Sequence, residues 1–272
     1  MKVAIQGFQG SFHSIAARSL FGQDIKLIYC KTFKQVFEKL ENNEADRAVV
    51  AIENSLYGSI NEVYDLLLKH HFSICSEIYE QVGLHLVSVE ESSLESITDV
   101  YSQAPALAES ESFLNKNLKD AEIHDHPDTA LAAKEVAGWA DKTKAAICSI
   151  EAANLFDLKI LAKNIETHSD NYTRFIALSK TELKIKNPSK TSITLRTADT
   201  PGSLYKVLGV FADLGINLSK LESRPIVGDA WRYMYYLDIE SGVSEEMLVS
   251  LKKYASNITV LGSYKTGSLK SI

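Results

Sequence analysis

The stretch Asp170-Asn171-Tyr172-Thr173-Arg174-Phe175-Ile176-Ala177-Leu178 begins with polar side chains and ends with apolar ones. Its second half is typical of a strand that runs into the interior of a sheet. Successive side chains of a strand point to opposite faces, so Asn171, Thr173 and Phe175 share one face, and Tyr172 and Arg174 share the other. Near the start of the strand, where the chain leaves a loop, we expect both faces to reach a cleft.

A second polar cluster, Glu53-Asn54-Ser55, follows the apolar run of residues 48–52 far away in the sequence. One such cluster is also compatible with an ordinary edge strand, but two clusters at strand ends favour a binding site. An arginine binds a carboxylate through two parallel hydrogen bonds, while amide and hydroxyl groups fix the remaining oxygens. The combination predicts a small organic polyanion as the ligand.

The composition is that of a soluble globular protein, with 272 residues of which 45% are hydrophobic and 24% charged. A net charge of −6 without a basic patch argues against a nucleic-acid partner. No apolar run approaches the ~18 residues that a membrane helix needs, and the first residues do not resemble a signal peptide, so we expect no membrane association. Cys30, Cys75 and Cys148 are widely spaced in apolar surroundings, which indicates reduced, buried thiols in a cytoplasmic protein.

Apolar strands alternate with short helices over roughly the first 180 residues, which predicts an α/β fold with a largely parallel sheet, two lobes and a cleft between them. Gly7 and Gly10 stand between the first strand and the first helix, where glycines allow backbone N–H groups to face an anion; a plain strand-to-helix turn is the alternative. Further along, residues 105–118 are predicted to form one helix, and Asp128 to cap another that starts at Thr129.

Residues 182–190 are charged and lack an apolar pattern, so they are predicted to form a linker. Beyond them the predicted elements follow the order β-α-β-β-α-β, which is the ferredoxin-like split unit. Its first helix begins at Pro201-Gly202-Ser203 and is closed by Gly215. A unit of this size suits a ligand-binding or dimerisation module better than an enzyme core.

The sequence lacks the motifs that hold common cofactors and metals. It has no dinucleotide-binding glycine spacing, phosphate-binding loop, nucleophile elbow or zinc-protease motif. His124 and His126 share a strand face without a cysteine or carboxylate at a metal-site interval. We therefore expect no metal and no cofactor, and a substrate that is intrinsically reactive and needs mainly orientation and one well-placed proton.

These residues resemble the signature motifs of prephenate dehydratases. Glu53-Asn54-Ser55-x-x-Gly58-x-Ile60-Asn61-x-Val63-Tyr64-Asp65 is similar to the N-terminal signature of the family, and Asn171-Tyr172-Thr173-Arg174-Phe175 contains its Thr-Arg-Phe motif. The C-terminal unit resembles an ACT domain: Pro201-Gly202-Ser203-Leu204 matches the Gly-Ala-Leu-Val region in part, and Glu222-Ser223-Arg224-Pro225 matches Glu-Ser-Arg-Pro in full. The resemblance covers nearly the whole chain in the same order.

That resemblance implies a periplasmic-binding-protein-like catalytic domain over residues 1–181, a linker over 182–190 and a C-terminal ACT regulatory domain over 191–272. In the catalytic domain, residues 1–78 with 158–181 would form one lobe and residues 79–157 the other. The enzyme would be a hydro-lyase that converts prephenate to phenylpyruvate, with loss of carbon dioxide and water, in the biosynthesis of L-phenylalanine.

The resemblance also implies roles for single residues. Thr173 would donate a hydrogen bond to the leaving ring oxygen, Arg174 would bind a substrate carboxylate, and Glu53 would organise Arg174 or the loop; these three form the predicted catalytic set. The predicted substrate-binding residues are Asn54, Ser55, Asn171, Phe175, Ser11 and Thr129. Gln103-Ala104-Pro105 replaces the Ser-His-Pro-Gln of the family, so no role for a histidine carries over there.

In the ACT family the corresponding segments form an amino-acid pocket between two domains, which implies L-phenylalanine as effector and a homodimer or homotetramer as the assembly. The predicted effector-binding residues are Pro201, Gly202, Ser203, Leu204, Glu222, Ser223, Arg224 and Pro225. Ser203 and Tyr205 replace alanine and valine of the family motif, which leaves the affinity and identity of the effector open. For residues 222–225, a strand ended by proline is the alternative.

Three other functions stay open. An arogenate dehydratase shares the motifs and differs in recognising an amino group where prephenate has a keto group. A non-catalytic amino-acid-sensing protein would combine the cleft with the ACT unit, although the Thr173-Arg174-Phe175 motif favours an enzyme. A purely structural dimer module does not explain two polar clusters at strand ends.

Overall fold

The structure of the chain is a computed structural model that describes residues 1–226 and 228–270. Residues 271 and 272, the end of the predicted C-terminal domain, lie outside the described residues. The chain divides into two compact units: unit 1 comprises Met1–Leu68, Ile78–Phe175 and the chain from Ser268 onward, and unit 2 comprises Lys69–Glu77 and Ile176–Gly267. The predicted linker falls within unit 2, and the predicted domain boundaries stay a prediction.

Helices and strands alternate along most of the chain, as predicted for an α/β protein. The strands are β1 (Lys2–Gln6), β2 (Lys26–Cys30), β3 (Arg47–Asn54), β4 (Gly58–Ser59), β5 (Ser73–Gln81), β6 (His85–Ser88), β7 (Asp99–Ser102), β8 (Glu122–Asp125), β9 (Lys144–Cys148), β10 (Lys159–Ala162), β11 (Tyr172–Ser179), β12 (Lys190–Thr197), β13 (Leu218–Pro225), β14 (Tyr233–Ile239), β15 (Ala255–Tyr264) and β16 (Leu269–Lys270). The α-helices are α1 (Phe12–Phe21), α2 (Phe33–Glu41), α3 (Asn61–His70), α4 (Ala104–Glu109), α5 (Glu111–Asn117), α6 (Thr129–Trp139), α7 (Ile150–Leu155), α8 (Ser203–Asp213) and α9 (Glu245–Leu251).

The first lobe of unit 1 is built on a seven-stranded sheet with the order β16-β5-β11-β3-β1-β2, and β4 pairs with β3. Because β1 is parallel to both β2 and β3, the carboxyl ends of these strands lie at one edge. β11 begins at the same edge, since the Ser55 N–H donates to the Tyr172 carbonyl at 2.8 Å. The two polar clusters of the sequence therefore meet where ligands of α/β folds commonly bind.

The second lobe is a five-stranded sheet with the order β10-β6-β9-β7-β8. β7 is parallel to β8 and β9, whereas β6 is antiparallel to β9 and β10. Residues 158–181 are predicted to belong to the first lobe, but β10 belongs to the second, where Lys159 lies opposite Ser88. Spacing along the chain says nothing about which of two sheets a short strand joins, so only the structure separates these alternatives.

The helix predicted over residues 105–118 is interrupted at Ser110 and forms α4 and α5. The Glu109 carbonyl accepts hydrogen bonds from the Thr167 N–H at 2.7 Å and from the Thr167 hydroxyl at 2.8 Å. In a continuous helix this carbonyl would accept from the Phe113 N–H instead. The contact with Thr167 thus ends α4 and fixes the backbone of Glu109.

Unit 2 carries a four-stranded antiparallel sheet with the order β13-β14-β12-β15. Residues from α8, α9 and the sheet share one buried apolar cluster that includes Leu195, Phe211, Leu237 and Met247. The arrangement confirms the predicted ferredoxin-like order. Gly215, at a φ of +67°, ends α8 as predicted, because glycine takes this left-handed conformation without a steric penalty.

The sequence also predicts the state of the cysteines and the lack of a membrane-spanning helix. Cys30, Cys75 and Cys148 are free and buried, which confirms the predicted thiols. Among the described residues, no helix combines the length and the apolar character needed to cross a bilayer.

Candidate active site

A cavity of about 530 Å³ opens in unit 1 and is lined by residues of both lobes. We call it the cleft. From the first lobe it is lined by Ser11, His13, Asn54, Thr173 and Phe175, among others, and from the second by Glu109, Asp128 and Thr129. Five predicted catalytic or substrate-binding residues therefore line it, namely Ser11, Asn54, Thr129, Thr173 and Phe175.

The side-chain amide of Asn54 has a fixed orientation. Its Oδ1 accepts hydrogen bonds from the N–H groups of Leu56 at 2.8 Å and Tyr57 at 3.0 Å. Its Nδ2 must therefore donate, and it does so to Asn171 Oδ1 at 2.7 Å and to Thr173 Oγ1 at 3.1 Å. Since Thr173 Oγ1 is an acceptor here, its own hydrogen stays available to a ligand in the cleft.

Asn171, which is fully buried, extends this series of hydrogen bonds from Asn54 to the second lobe. Its Oδ1 is occupied by Asn54, so its Nδ2 donates, and the acceptor is Glu109 Oε2 at 2.5 Å. Burial raises the pKa of Glu109 to about 7, the hydrogen bond from Asn171 lowers it and the charge of Glu166 raises it further. The bond from Asn171 favours Oε1 as the oxygen that carries a proton, because the carbonyl oxygen of a neutral carboxyl is the better acceptor.

Ser55 joins the end of β3 to the start of β11 rather than facing the cleft. Its Oγ donates to the Asp170 carbonyl at 3.1 Å and accepts from the Tyr172 N–H at 2.9 Å. These bonds, together with the backbone bond from Ser55 to Tyr172, hold the two polar clusters in register. The Ser55 hydroxyl, predicted to bind the substrate, is thus hydrogen-bonded to backbone groups instead.

Arg174 and Glu53 also lie outside the residues that line the cleft. The Arg174 side chain is 4% exposed, with Nη1 at 3.8 Å from Glu53 Oε2 and its guanidinium carbon 6.0 Å from the centre of the Tyr79 ring. Alternation along β11 turns Arg174 away from Thr173 and Phe175. The expected contact of Glu53 with Arg174 is present, whereas the expectation that both faces of the strand reach the cleft is not met at Arg174.

Two helices begin at the cleft and direct their N-termini towards it. Ser11 caps α1 through its Oγ, and Asp128 caps α6, whose first residue is Thr129. Gly7, at a φ of +99°, lies between the caps: a Cβ there would be 2.8 Å from Asp128 Oδ2 and 3.1 Å from Ser11 Oγ. Helix N-termini favour anions, so the α1 terminus with its Ser11 hydroxyl suits a ligand carboxylate, whereas Asp128 already places a carboxylate on the first N–H groups of α6.

His13 lines the cleft although it is not among the residues predicted from the sequence to form the site. The Ala51 N–H donates to His13 Nε2 at 3.1 Å, so the imidazole carries its hydrogen on Nδ1. Burial lowers the pKa of His13 to about 3, and the ring packs edge-to-face on Phe175 with the ring centres 5.0 Å apart. His13 is therefore neutral at physiological pH. The sequence signal for His13 is its position in the first turn of α1, which directly follows the predicted substrate-binding residue Ser11.

One group of potential metal ligands lies away from the cleft, on the second sheet. Ligand atoms of Asp99, Glu122 and His124 are all within 4.8 Å of one another. His124 Nε2 is 2.8 Å from Asp99 Oδ1, and the Lys144 ammonium lies 4.0 Å from Asp99 Oδ2. Lys144 supplies a positive charge at this cluster, which is the arrangement of an ion-pair network.

Unit 2 contains a separate cavity of about 260 Å³ beside the N-terminus of α8. Of the predicted effector residues, Gly202, Ser203 and Leu204 line it, and Tyr205 and Trp231 contribute exposed aromatic rings. The other predicted effector residues, Pro201 and the four residues 222–225, do not line it. Residues 222–225 end strand β13.

Two family profiles match the chain. Residues 3–183 match the family described as prephenate dehydratase, and residues 191–253 match the ACT domain.

Named relatives match over nearly the whole chain. It is 39% identical to the bifunctional chorismate mutase/prephenate dehydratase of Aquifex aeolicus, over 99% of this chain and 75% of that protein. It is 36% identical to arogenate dehydratase 2 of Petunia hybrida, over 98% of this chain and 72% of that protein.

Solved structures show the same fold. The prephenate dehydratase of Arthrobacter aurescens in complex with L-Phe is 27% identical with a TM-score of 0.87, over 98% of this chain and 90% of that chain. GqqA, described as a novel type of quorum-quenching acylase, is also 27% identical with a TM-score of 0.87, over 98% of each chain. With one family profile covering most of its length, an ACT profile following it, and a relative that is 39% identical over 75% of that protein, this chain belongs to the prephenate dehydratase family and carries an ACT domain.

Proposed function

We propose that this enzyme converts prephenate to phenylpyruvate, carbon dioxide and water in the cleft of unit 1. The observation that carries the proposal is the Thr173 hydroxyl, which lines the cleft and has its hydrogen left for a ligand by the bond from Asn54. A donor at this point suits a reaction in which a hydroxyl leaves with the electron pair of its bond.

The chemistry needs little more than orientation and one proton. The bond between the ring and its carboxylate breaks and releases carbon dioxide, and its electron pair enters the ring. The carbon–oxygen bond to the ring hydroxyl breaks on the other side, and the departing oxygen takes a proton and leaves as water. The ring becomes aromatic, which supplies the driving force. Thr173 would stabilise the charge that develops on the leaving oxygen, as donors aimed at a developing anion do.

Two carboxylates of the substrate must be held in the cleft. The N-terminus of α1 supports this role with the Ser11 hydroxyl at its start, and the Thr129 hydroxyl lines the same cleft. Asn54 would orient the Thr173 hydroxyl, and Asn171 would link Asn54 to Glu109 on the second lobe. Phe175 would pack against the substrate ring. Binding of a carboxylate by Arg174, with Glu53 organising it, stays a prediction, because neither residue lines the cleft.

Arogenate is the second candidate substrate, favoured by the identity to arogenate dehydratase 2 of Petunia hybrida. The leaving hydroxyl and the ring are common to both substrates, so the same residues would act. Acylase chemistry, suggested by the likeness to GqqA, finds less support. An acylase needs an activated nucleophile, whereas the Thr173 Oγ1 accepts from an amide and contacts no base among the described residues.

The ACT domain would bind L-phenylalanine and reduce turnover by feedback. The Arthrobacter aurescens relative was solved with L-Phe, and the cavity beside α8 offers a helix N-terminus for a carboxylate and exposed aromatic rings for a side chain. Assembly as a homodimer or homotetramer through this domain and a cytoplasmic location remain part of the proposal.

The test is the rate of phenylpyruvate formation from prephenate by the purified chain, beside the rate of phenylalanine formation from arogenate. Both rates are measured with and without L-phenylalanine and corrected for the uncatalysed reaction. Turnover of prephenate that L-phenylalanine suppresses is the expected result. Turnover of arogenate alone would replace the substrate, and turnover of neither would overturn the proposed function.

A further inference from the structure

The predicted catalytic and substrate-binding residues that line the cleft, Ser11, Asn54, Thr129, Thr173 and Phe175, carry no side chain that is acidic near neutral pH. A threonine hydroxyl is a very weak acid, so Thr173 orients the leaving oxygen but does not supply a proton at neutral pH. His13 is neutral and its burial lowers its pKa to about 3, so it is not protonated either. Glu109 is a further titratable side chain that lines the cleft.

We propose that Glu109 is the general acid that protonates the departing ring hydroxyl, an inference that rests on the proposed function. Its carboxyl lines the cleft and is tied to Thr173 through Asn171 and Asn54. The step is balanced: the proton moves from Glu109 Oε1 to the leaving oxygen, the carbon–oxygen bond breaks, and water departs. Glu109 is left as a carboxylate, and solvent returns its proton before the next turnover.

The directions of the hydrogen bonds from Asn54 through Asn171 to Glu109 indicate which oxygen of Glu109 carries the proton. Backbone N–H groups fix the Asn54 amide, Asn54 fixes Asn171, and Asn171 donates to Glu109 Oε2. Oε2 is an acceptor in either protonation state. Because the carbonyl oxygen of a neutral carboxyl is the better acceptor, the Asn171 bond favours Oε2 as that oxygen and Oε1 as the one that carries the proton.

The backbone of Glu109 is held as firmly as its side chain. The Thr167 N–H and hydroxyl both donate to its carbonyl and end α4 at this residue. The Glu109 side chain thus starts from a fixed point on the second lobe and faces the polar cluster of the first. Such support is what a proton donor needs, because transfer depends on distances of about 2.6–3.2 Å between heavy atoms.

The groups around Glu109 favour its neutral form. Desolvation by the cleft raises the pKa of Glu109 to about 7, and the negative charge of Glu166 acts in the same direction. Asn171 lowers it by its hydrogen bond. Tyr57, from the turn after β3, lines the same cleft, and the charge of Glu109 adds to the burial that raises the pKa of the Tyr57 phenol. A carboxyl poised near neutrality has the pKa that general acids require.

The experiment compares wild type with Glu109→Gln, Glu166→Gln and Glu111→Gln from pH 5.5 to 9, with prephenate and with arogenate. Glu109→Gln keeps an acceptor for Asn171 and has no proton to transfer. Glu166→Gln removes a charge beside Glu109 and keeps an acceptor for the Leu84 N–H. Glu111 is exposed at the start of α5 and serves as the matched control.

We expect the wild-type kcat to fall as the pH rises through about 7, because a general acid works only when protonated. Glu109→Gln is expected to lose ~10² to 10⁴ in kcat on whichever substrate wild type uses, with KM changed far less and the fall near neutrality abolished. Glu166→Gln is expected to move that fall to lower pH with its rate at pH 5.5 maintained, which tests Glu109 without altering it. Glu111→Gln is expected to match wild type.

Failure of this inference is distinct from failure of the proposed function. If wild type turns over neither substrate, both the proposed function and the role of Glu109 are overturned. Wild type that turns over, with Glu109→Gln equally active and its pH profile unchanged, overturns Glu109 alone. Loss of arogenate turnover with prephenate turnover intact also overturns it, because Glu109 would then be a carboxylate that binds the ammonium group. An unmoved pH profile in Glu166→Gln contradicts the assignment as well.

Discussion

Asn54 donates a 3.1 Å hydrogen bond to Thr173, a residue 119 positions later in the chain. The direction of this bond follows from two backbone N–H groups that occupy the Asn54 carbonyl oxygen. The bond makes Thr173 Oγ1 an acceptor on the protein side and leaves its hydrogen for the cleft. One amide thus decides whether the threonine acts as a donor to the substrate.

Asn54→Asp tests this direction. The new carboxylate still accepts from the N–H groups of Leu56 and Tyr57, so the turn after β3 is expected to persist. It also attracts the Thr173 hydroxyl hydrogen, which is then no longer available to the substrate, and kcat is expected to fall by ~10²-fold. Steady-state rates with thermal melting measure both effects. Asn54→Ala, which loses the turn contacts as well, is expected to be less stable by about 1–3 kcal/mol. Wild-type turnover by Asn54→Asp would contradict the role given to this bond.

Gly10→Ala is expected to destabilise the chain more than Gly22→Ala. Both glycines have positive φ, +87° and +85°, so both substitutions strain the backbone. At Gly10 a Cβ would also lie 3.0 Å from the Ala152 Cα, whereas Gly22 has nothing within 4 Å. Overpacking adds about 1–3 kcal/mol to the loss at Gly10. Urea unfolding of both variants measures the difference, and equal losses would show that the contact with Ala152 relaxes.

Glu109→Gln is expected to change the pH dependence of stability. Because the folded pKa of Glu109 is raised from 4.5 to about 7, its stabilising effect is fully present below pH 4.5 and is lost as the pH rises through about 7. The glutamine does not titrate, so the melting temperature of the variant minus that of wild type is expected to increase from pH 5 to pH 8. Glu111→Gln, at an exposed position, is expected to show no such trend. A constant difference across this range would mean that Glu109 is ionised normally in the folded chain.

Gly202→Asp is expected to weaken the binding of L-phenylalanine in calorimetric titrations by at least ~10-fold relative to Gly202→Ala, because a negative charge at the start of α8 opposes the carboxylate of the ligand. Gly202 has a φ of +81°, so the alanine variant controls for the backbone strain that both substitutions share. Equal affinities of the two variants would place the ligand elsewhere in the ACT domain.

The sequence predicted the parts of the fold that depend on local chemistry. Asp128 caps α6, Gly215 closes α8 and the polar ends of β3 and β11 meet, as their patterns indicate. The break of α4 at Glu109 could not be predicted, because it depends on Thr167, 58 positions later in the chain. The sheet that β10 joins and the pairing of β16 with β5 depend on the same kind of distant contact.

In the candidate site, too, residues in local motifs could be predicted, whereas properties that depend on distant contacts could not. Thr173, Asn54, Ser11 and Thr129 were found because motifs carry them, and they line the cleft. Alternation put Arg174 on the face opposite Thr173 and Phe175, but which of the two faces meets the cleft is set by the packing of two lobes and did not follow from the sequence. Glu109 and His13 owe their properties to burial, which changes their pKa values in opposite senses, and burial at a cleft has no local sequence signal.

In the proposed function, the cleft around Thr173 carries out the elimination from prephenate. The most direct measurement is the kcat for phenylpyruvate formation from prephenate by wild type, Thr173→Ala and Thr173→Ser in one assay. We predict that Thr173→Ala lowers kcat by ~10² to 10³-fold, the usual effect of removing one donor from a developing anion, and that Thr173→Ser keeps most of the rate. Turnover by Thr173→Ala at the wild-type rate would contradict the account.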